Sequence, residues 1–349
     1  MTAPLVIPYF IPHQGCPHQC VFCNQSIITG KKQSNPKFSN IDDVIREYLS
    51  FKGNRTQVEL AFFGGNFLGL SKAKIRALLL KVKPYQDRGL IQRIRCSTRP
   101  DTISEEVLDL VRGHGLDLVE LGVQSMDDAV LEISERGHTR KDTLRAIQTL
   151  KAAGIKVGVQ VMAGLPGDSL SRALATVRAL SELSPDMARI YPVLVLAGSR
   201  LAQWYASGEY TPLDLNQAVE QVKQMLEIFK NAGVFVARMG LQAGEMMDDP
   251  DQMIAGPWHP AFGHLVYSAL MFDRACELIE GIGEELRPKQ LSLKVHPRSL
   301  SRLQGDRKTN LEKLRRRYPG IEFSILCDKG MDLDQVGINP NPPLNFIFV

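Results

Sequence analysis

The sequence predicts an α/β fold: about six consecutive strand-helix units, then a smaller C-terminal α/β extension. Three observations predict it. Short β-branched apolar runs alternate with stretches of helical spacing through the first 200 residues. Glycine turns close two of these runs, at Gly64-Gly65 and at 164–167. Beyond Gly198 the rhythm changes and the extension begins. Such alternation implies parallel pairing with right-handed crossovers. An open doubly wound sheet and a partial TIM-like barrel both satisfy it.

Residues 5–10 open the chain as a strand, followed by a Gly/Pro/Cys-rich loop to about 36. Helical spacing over 41–51 has Ser39 or Asn40 as its N-cap. Strands follow at 58–63, 91–97, 118–123, 156–162 and 187–196. Helices fall between them at 72–82, 105–112, 127–134, 141–153 and 170–183. In the extension the reading is helix 213–232, strand 234–238, helix 260–279 and strand 291–295. A basic helix at 310–317, a strand at 321–326 and a final apolar strand at 346–349 complete it. A partial-barrel core over 1–200, a barrel-completing, substrate-side stretch over 201–285 and a basic segment over 286–349 divide the chain.

With 349 residues, 44% hydrophobic and 23% charged, the composition excludes disordered, collagen-like and coiled-coil chains. No apolar run approaches the roughly 18 residues of a membrane helix. Residues 1–10 lack the basic region of a signal peptide. The expectation is a soluble, cytoplasmic protein. Its six cysteines then sit in a reducing compartment, where clustered thiols hold metal more often than they pair. Charge is unevenly spread. Residues 287–317 hold eleven basic and two acidic side chains, a net +9, which leaves −5 elsewhere.

The cluster Gly15-Cys16-Pro17-His18-Gln19-Cys20-Val21-Phe22-Cys23 carries the chemistry. Three thiolates at this spacing can converge on one inorganic centre. In an iron–sulfur cubane they leave one iron without a protein ligand, open to substrate or cofactor. A structural zinc site of three cysteines with His18 or His13 also fits. The loop follows the first strand, where β/α folds place ligands.

Cys16, Cys20 and Cys23, with Phe22 before the last, resemble the C-x-x-x-C-x-aromatic-C signature of radical S-adenosylmethionine (radical SAM) enzymes. Phe62-Phe63-Gly64-Gly65 is similar to the glycine motif of that family. Residues 96–103 (CSTRPDTI), 119–125 (VELGVQS), 136–139 (RGHT) and 162–167 (MAGLPG) resemble the catalytic subunit of Elongator and the oxygen-independent coproporphyrinogen dehydrogenases. The resemblance covers about residues 5–200. It implies a partial (βα)6 barrel of the radical SAM type, a 4Fe-4S cluster and S-adenosylmethionine.

By the same resemblance Cys16, Cys20 and Cys23 are the metal ligands, and Phe22 packs near the adenine. Gly64 and Gly65 let backbone approach the methionine moiety. Gln124, Arg136 and Gln160 contact the cofactor, with Tyr9 and Ser97 further candidates. Two positions depart from the pattern: Asn66 follows the glycines where many relatives have Glu, Thr or Ser, and Gln160 stands where the porphyrin enzymes have Asp. No catalytic residue is assigned. Taken alone, Glu120 reads as an ordinary ion-pair partner, and a histidine such as His138 is more often helix-terminal than catalytic.

The family chemistry is reductive cleavage of S-adenosylmethionine to a deoxyadenosyl radical that abstracts hydrogen, with a flavodoxin or ferredoxin as electron donor. The substrate is less defined. Arg238, Gln242, Glu245, Trp258 and His259 are candidates for the barrel mouth, or Trp258 is core. The basic segment 287–317 suits phosphate, and the Elongator likeness suggests tRNA. It also suits a plain solvated helix face, and Tyr318 is its one aromatic residue for base stacking. No acetyltransferase pattern follows the core, so the acetyl-CoA-dependent reaction is not expected. The alternatives are a small-molecule or tetrapyrrole substrate, and a non-catalytic cluster- or zinc-binding protein.

Overall fold

Seven parallel strands form the main sheet of the computed structural model, which describes residues 4–11, 14–24, 40–241 and 251–339. The strands are β1 (Leu5–Phe10), β2 (Val58–Phe63), β3 (Arg93–Thr98), β4 (Leu116–Gln124), β5 (Lys156–Ala163), β6 (Met187–Pro192) and β8 (Phe235–Met239). They lie side by side in that order, all parallel. Helices connect them: α1 (Ile41–Ser50), α2 (Lys72–Asp87), α3 (Glu105–Val111), α4 (Asp128–Ile133), α5 (Arg140–Ala152) and α6 (Leu170–Glu182), then α7 (Arg200–Ser207) and α8 (Leu215–Asn231). The expected six units are present, and β8 adds a seventh strand.

The helix starts follow from local chemistry. Asn40 caps α1, its side chain accepting from the Asp42 amide. Thr139 and Asp142 close a capping box on α5, and Asp214 and Gln217 close one on α8. The strand expected over 187–196 is broken in two. It stops at Pro192, which has no amide for the ladder. The chain resumes as β7 (Val195–Leu196), antiparallel to β9 (Met253–Ala255).

The two faces of the main sheet differ in kind. One carries Ile7, Leu60, Phe62, Ile94, Cys96, Val119, Leu121, Val157 and Val159, all buried. The register puts Glu59, Phe63, Arg95, Ser97, Glu120, Gly122, Gly158, Gln160, Arg189 and Tyr191 on the other. This polar face is concave. Four inter-strand steps separate β2 from β6, about 19 Å in a flat sheet. Yet the Arg189 guanidinium lies 5.7 Å from the centre of the Phe63 ring. The sheet therefore curls into a half-barrel whose edge strands, β1 and β8, each have one neighbour.

The described residues divide into two compact units, one of residues to 218 with 224–258, the other of 219–223 with 259 onward. The second contains α9 (Phe262–Glu280), β10 (Gln290–Val295), α10 (Leu300–Gln304), α11 (Thr309–Arg317), β11 (Glu322–Cys327) and β12 (Val336–Asn339). Its sheet runs β11-β10-β12, with β11 parallel and β12 antiparallel to the centre. Leu291, Leu293 and Val295 pack with Ala275, Ile279, Leu314 and Tyr318 in its core. The long cysteine-containing loop beyond residue 24 and the strand expected at 346–349 lie outside the described residues.

Gly158 makes the concave face possible. A Cβ there would stand 3.1 Å from side-chain carbons of Glu120 and Met187. Its absence lets Arg189 on β6 reach across β5 to Glu120 on β4, Nε to Oε2 at 2.9 Å. Gly158→Val is expected to destabilise the chain by about 1–3 kcal/mol through overpacking, read as a lower urea midpoint with the slope unchanged.

Candidate active site

The cysteine loop leaves the C-terminal end of β1 and is tied down at several strand ends. The Ile11 amide donates to Phe63 O at 2.7 Å, the Val21 amide to Ser134 O at 3.2 Å, and the Leu201 amide to Val21 O at 2.8 Å. Asn24 donates its side-chain amide to Ala197 O at 2.7 Å. Val21 is fully buried with Val130, Leu165, Val193, Val195, Leu201 and Tyr210, and Phe22 packs against the same cluster. Cys20 is buried, Cys23 half-buried and Cys16 exposed.

Asn66, wholly buried, fastens this loop to two strand ends. Its Nδ2 donates to Gly15 O at 2.6 Å. Its Oδ1 accepts from Thr98 Oγ1 at 2.5 Å, from the Arg99 amide at 3.0 Å and from Thr102 Oγ1 at 3.1 Å. Its own amide donates to Gln14 O at 3.1 Å. The carboxamide is thus spent on the protein itself. Gly65 is crowded by the same loop, since a Cβ there would collide with Ile11 O and Gln14 O. Gly64, at φ +83°, makes the turn that brings Asn66 round.

Two buried guanidinium groups stand beside the thiols. Arg136 donates from Nη1 to Cys20 Sγ at 3.0 Å and from Nη2 to Gly122 O at 2.6 Å. Arg99 is held in a fork by Asp101, at 2.9 and 3.2 Å, and donates to Arg136 O. Partial desolvation by the surrounding loop raises the pKa of the Cys16 thiol, opposed first by Arg99; Cys20 adds to the rise and Arg136 to the opposition. His138 is held neutral, its pKa pushed down to about 3 by burial and then by Arg136 and Arg99. Among the described residues, Arg136 Nε and Arg99 Nη1 are buried without a hydrogen-bond partner.

The concave face continues from there. Gln124, at φ +68°, holds a left-handed conformation that costs a residue other than glycine about 1–2 kcal/mol. The β-bulge between Gly122 and Gln124 puts it there. Its Oε1 accepts from Gln160 Nε2 at 3.1 Å. Deeper in, Glu59, Arg95, Glu120 and Arg189 form a chain of ion pairs at 3.3, 3.4 and 2.9 Å. Arg189 ends it by donating to the Tyr191 hydroxyl at 3.1 Å. Arg95 and Arg189 both lie over the Phe63 ring, at 5.2 and 5.7 Å. Their Nε–H groups are buried without an aligned acceptor.

The structure thus brings Cys20, Phe22, Gly65, Ser97, Gln124, Arg136 and Gln160 to one end and one face of the first unit. Tyr9 is on the opposite face, in register with Phe62 and edge-on to its ring. Its neighbour Phe10 occupies the concave side beside Phe63. Arg238 lies in register with Arg189. Trp258 packs against Leu194 and Leu196. His259 belongs to the second unit and accepts from the Ala261 amide through Nδ1 at 3.0 Å. His13, Gln242 and Glu245 lie outside the described residues. Sequence reading left Asn66 and Arg99 without a role, and it missed Phe10, Arg95 and Arg189. Charged residues at alternate positions of otherwise apolar strands were the available signal.

The residues fit an anionic iron–sulfur cluster. Two guanidiniums with unused buried N–H groups adjoin a thiol loop, and a polar face lies next to them. Among the described residues no three Cys, His, Asp or Glu side chains gather at the spacing of a single metal ion. His18 lies instead against Gly137, with no room for a Cβ between them.

Comparison with known proteins gives the family and the fold. The model of the Radical SAM superfamily matches residues 10–180, and that of the Radical SAM C-terminal domain matches 185–271. An uncharacterised protein of Methanocaldococcus jannaschii is 32% identical over 225 residues, 61% of this chain and 68% of that protein. The tRNA uridine(34) acetyltransferase of Methanocaldococcus infernus is 30% identical over 246 residues. That match takes in 59% of this chain and 46% of the acetyltransferase, so the chain spans about half the length of that relative. The solved structure of the archaeal Methanocaldococcus infernus Elp3, lacking residues 1–46, superposes with a TM-score of 0.60 at 24% identity. It covers 77% of this chain and 63% of its own, a likeness of fold. The chain belongs to the radical SAM superfamily, an enzyme class whose cofactors are a 4Fe-4S cluster and S-adenosylmethionine.

Asn66→Ala removes the partner of Gly15 O in the cysteine loop and of the Arg99 amide at the end of β3. It is expected to destabilise the cofactor-free chain by about 2–3 kcal/mol in urea unfolding and to speed labelling of Cys20 by a thiol reagent. Asn66→Asp, which sets an acceptor against Gly15 O, is expected to behave the same way.

Proposed function

We propose that the chain is a radical SAM enzyme that takes a hydrogen atom from an RNA substrate, tRNA. The observation that carries this reading is the meeting of the cysteine loop with Arg136 at the end of a curled sheet whose inner face is polar. Cys16, Cys20 and Cys23 hold the cluster. Arg136 sits between Cys20 and Gly122 O, so the loop and the inner face keep a fixed relation. Gly64 and Gly65 flank the methionine end of S-adenosylmethionine, Phe22 its adenine, and Gln124, Gln160 and Arg136 its polar groups. When bound, the two cofactors supply a deoxyadenosyl radical for hydrogen abstraction. The apolar packing of Val21 and Phe22 keeps water from that side of the loop. A flavodoxin or ferredoxin delivers the electron. The reducing compartment suggested by the cysteines is the cytoplasm; among the described residues no helix is long and apolar enough to cross a membrane.

The tRNA reading draws on the relatives named as tRNA uridine acetyltransferases and on the cations of the second unit. Of the eleven basic residues in 287–317, Lys294, Arg302, Arg316 and Arg317 are paired with Asp328, Asp334, Glu312 and Glu280. Arg307, Lys308 and Arg315 are exposed and outside those pairs. Tyr318 is buried, its hydroxyl donating to Glu280 at 2.9 Å, so it offers no face for base stacking. Backbone phosphates are then the target, not bases.

After anaerobic reconstitution, reductant and S-adenosylmethionine are expected to yield 5′-deoxyadenosine, faster with tRNA and not at all in the triple Cys16, Cys20, Cys23 to Ala variant. Converting Arg307, Lys308 and Arg315 to Ala together should lower the slope of log affinity for tRNA against log salt by about 2–3. Arg316→Ala and Arg317→Ala should change it less. An unchanged slope in the triple Ala variant would remove tRNA from the reading and leave the radical chemistry standing.

A further inference from the structure

A cavity of about 400 Å³ opens in the first unit among the loops that follow β4, β5 and β6. The turn 164–168 forms one side, and Ile133, Trp204, Glu209, Tyr210 and Leu213 form the rest with Thr211. None of the cysteines, Gly64, Gly65, Gln124, Arg136 or Gln160 lines it. Leu165 and Tyr210 belong to the buried cluster that packs Val21 and Phe22, and so wall the cavity off from the cysteine loop.

The walls are well fixed. Tyr210 donates its hydroxyl to Gly164 O at 2.7 Å, and its amide to Trp204 O at 3.1 Å. Leu213 packs on Gly164, and Ile133 on Gly167. Among the described residues the lining contains two aromatic rings, three aliphatic side chains and two carboxylates, Asp168 and Glu209, with no lysine, arginine or histidine. Two arginines stand nearby, and both are engaged. Arg172 donates to Gly167 O at 2.8 Å and pairs with Asp127 at 3.5 Å. Arg200 pairs with Glu135 and lies over the Trp204 ring at 5.7 Å.

Asp168 is short of positive charge. One oxygen accepts from the Ser169 amide at 2.8 Å. Burial lifts its pKa to about 6; the Ser169 amide opposes this, the Asp127 carboxylate adds to the rise, and Arg172 opposes it last. A half-buried carboxylate beside aromatic faces, in a space of small-molecule size, is matched by a cation with an apolar stem. We propose that this cavity binds a small alkylammonium ion, its charge on Asp168 and Glu209 and its stem against Trp204, Tyr210 and Leu213.

The chain has two tryptophans, so Trp258→Phe leaves Trp204 as the only indole reporter. The full-length variant with reconstituted cluster is titrated with n-butylammonium chloride, against sodium chloride at equal ionic strength and against neutral 1-butanol. A saturable change in Trp204 emission is expected with butylammonium alone. Calorimetry on the parent chain should give the same affinity. Asp168→Asn, near-isosteric, should weaken binding at least tenfold and Glu209→Gln severalfold, with circular dichroism and melting unchanged. Absence of saturable butylammonium binding by both methods overturns the proposal, as does equal binding by butanol. So does an unchanged affinity in the folded Asp168→Asn, Glu209→Gln double variant.

Discussion

The arrangement of the site depends on one buried carboxamide. Asn66 joins the loop that carries the cysteines to the ends of β2 and β3 through bonds made by both of its polar atoms. An apolar residue in its place would strip Gly15 O of its partner and leave the buried Arg99 amide without one. Arg99, placed by that amide bond, then donates to Arg136 O, and Arg136 donates to Cys20. The sequence from Asn66 to Cys20 is a single connected chain of donors and acceptors. A loop of this composition, with Gly15, Pro17 and polar residues, has no secondary structure of its own to hold three thiols in place.

The concave face carries the second constraint. Parallel sheets are ordinarily apolar on both sides, because helices cover both. Here one face keeps two arginines and two glutamates, all largely buried. Charges taken out of water in this way seldom stabilise a fold more than apolar residues of similar volume would. Their presence there fits a surface that lines a chamber and not one that packs under a helix. Gly158 and Gly122 serve the same end. Each removes a side chain where another must cross: Arg189 above β5, and Gln124 and Arg136 at the end of β4.

Much of this was legible in the sequence. Strands β1 and β2 match their expected bounds because each is a short apolar run with a loop or glycine turn after it. Where the reading failed, the reason is specific. The 187–196 run looks like one strand by hydropathy, yet β6 ends at Pro192, a residue with no amide to donate. Tyr9 and Phe10 are interchangeable by composition, but the two-residue period of a strand sends them to opposite faces, and a one-residue ambiguity decides which meets the site. Asn66 looked like a departure from a cofactor motif; its hydrogen bonds run to residues 15, 98, 99 and 102, partners that no local pattern identifies.

The basic segment shows why counting charge falls short of reading it. Its +9 suggests a uniform patch, yet four of the cations are spent on carboxylates that lie outside the segment or one helical turn away. Tyr318, expected as a stacking residue, is instead the core side chain on which Arg287 and Arg317 rest, at 5.3 and 5.8 Å. What survives for an outside partner is the smaller set around Arg307 and Lys308. Both hold left-handed backbone conformations, at φ +49° and +65°, in the turn before α11. Two consecutive strained residues with long cationic side chains cost stability and bury little. A counter-charge from outside the chain would offset that cost, which is what the proposed phosphate contacts require of this turn.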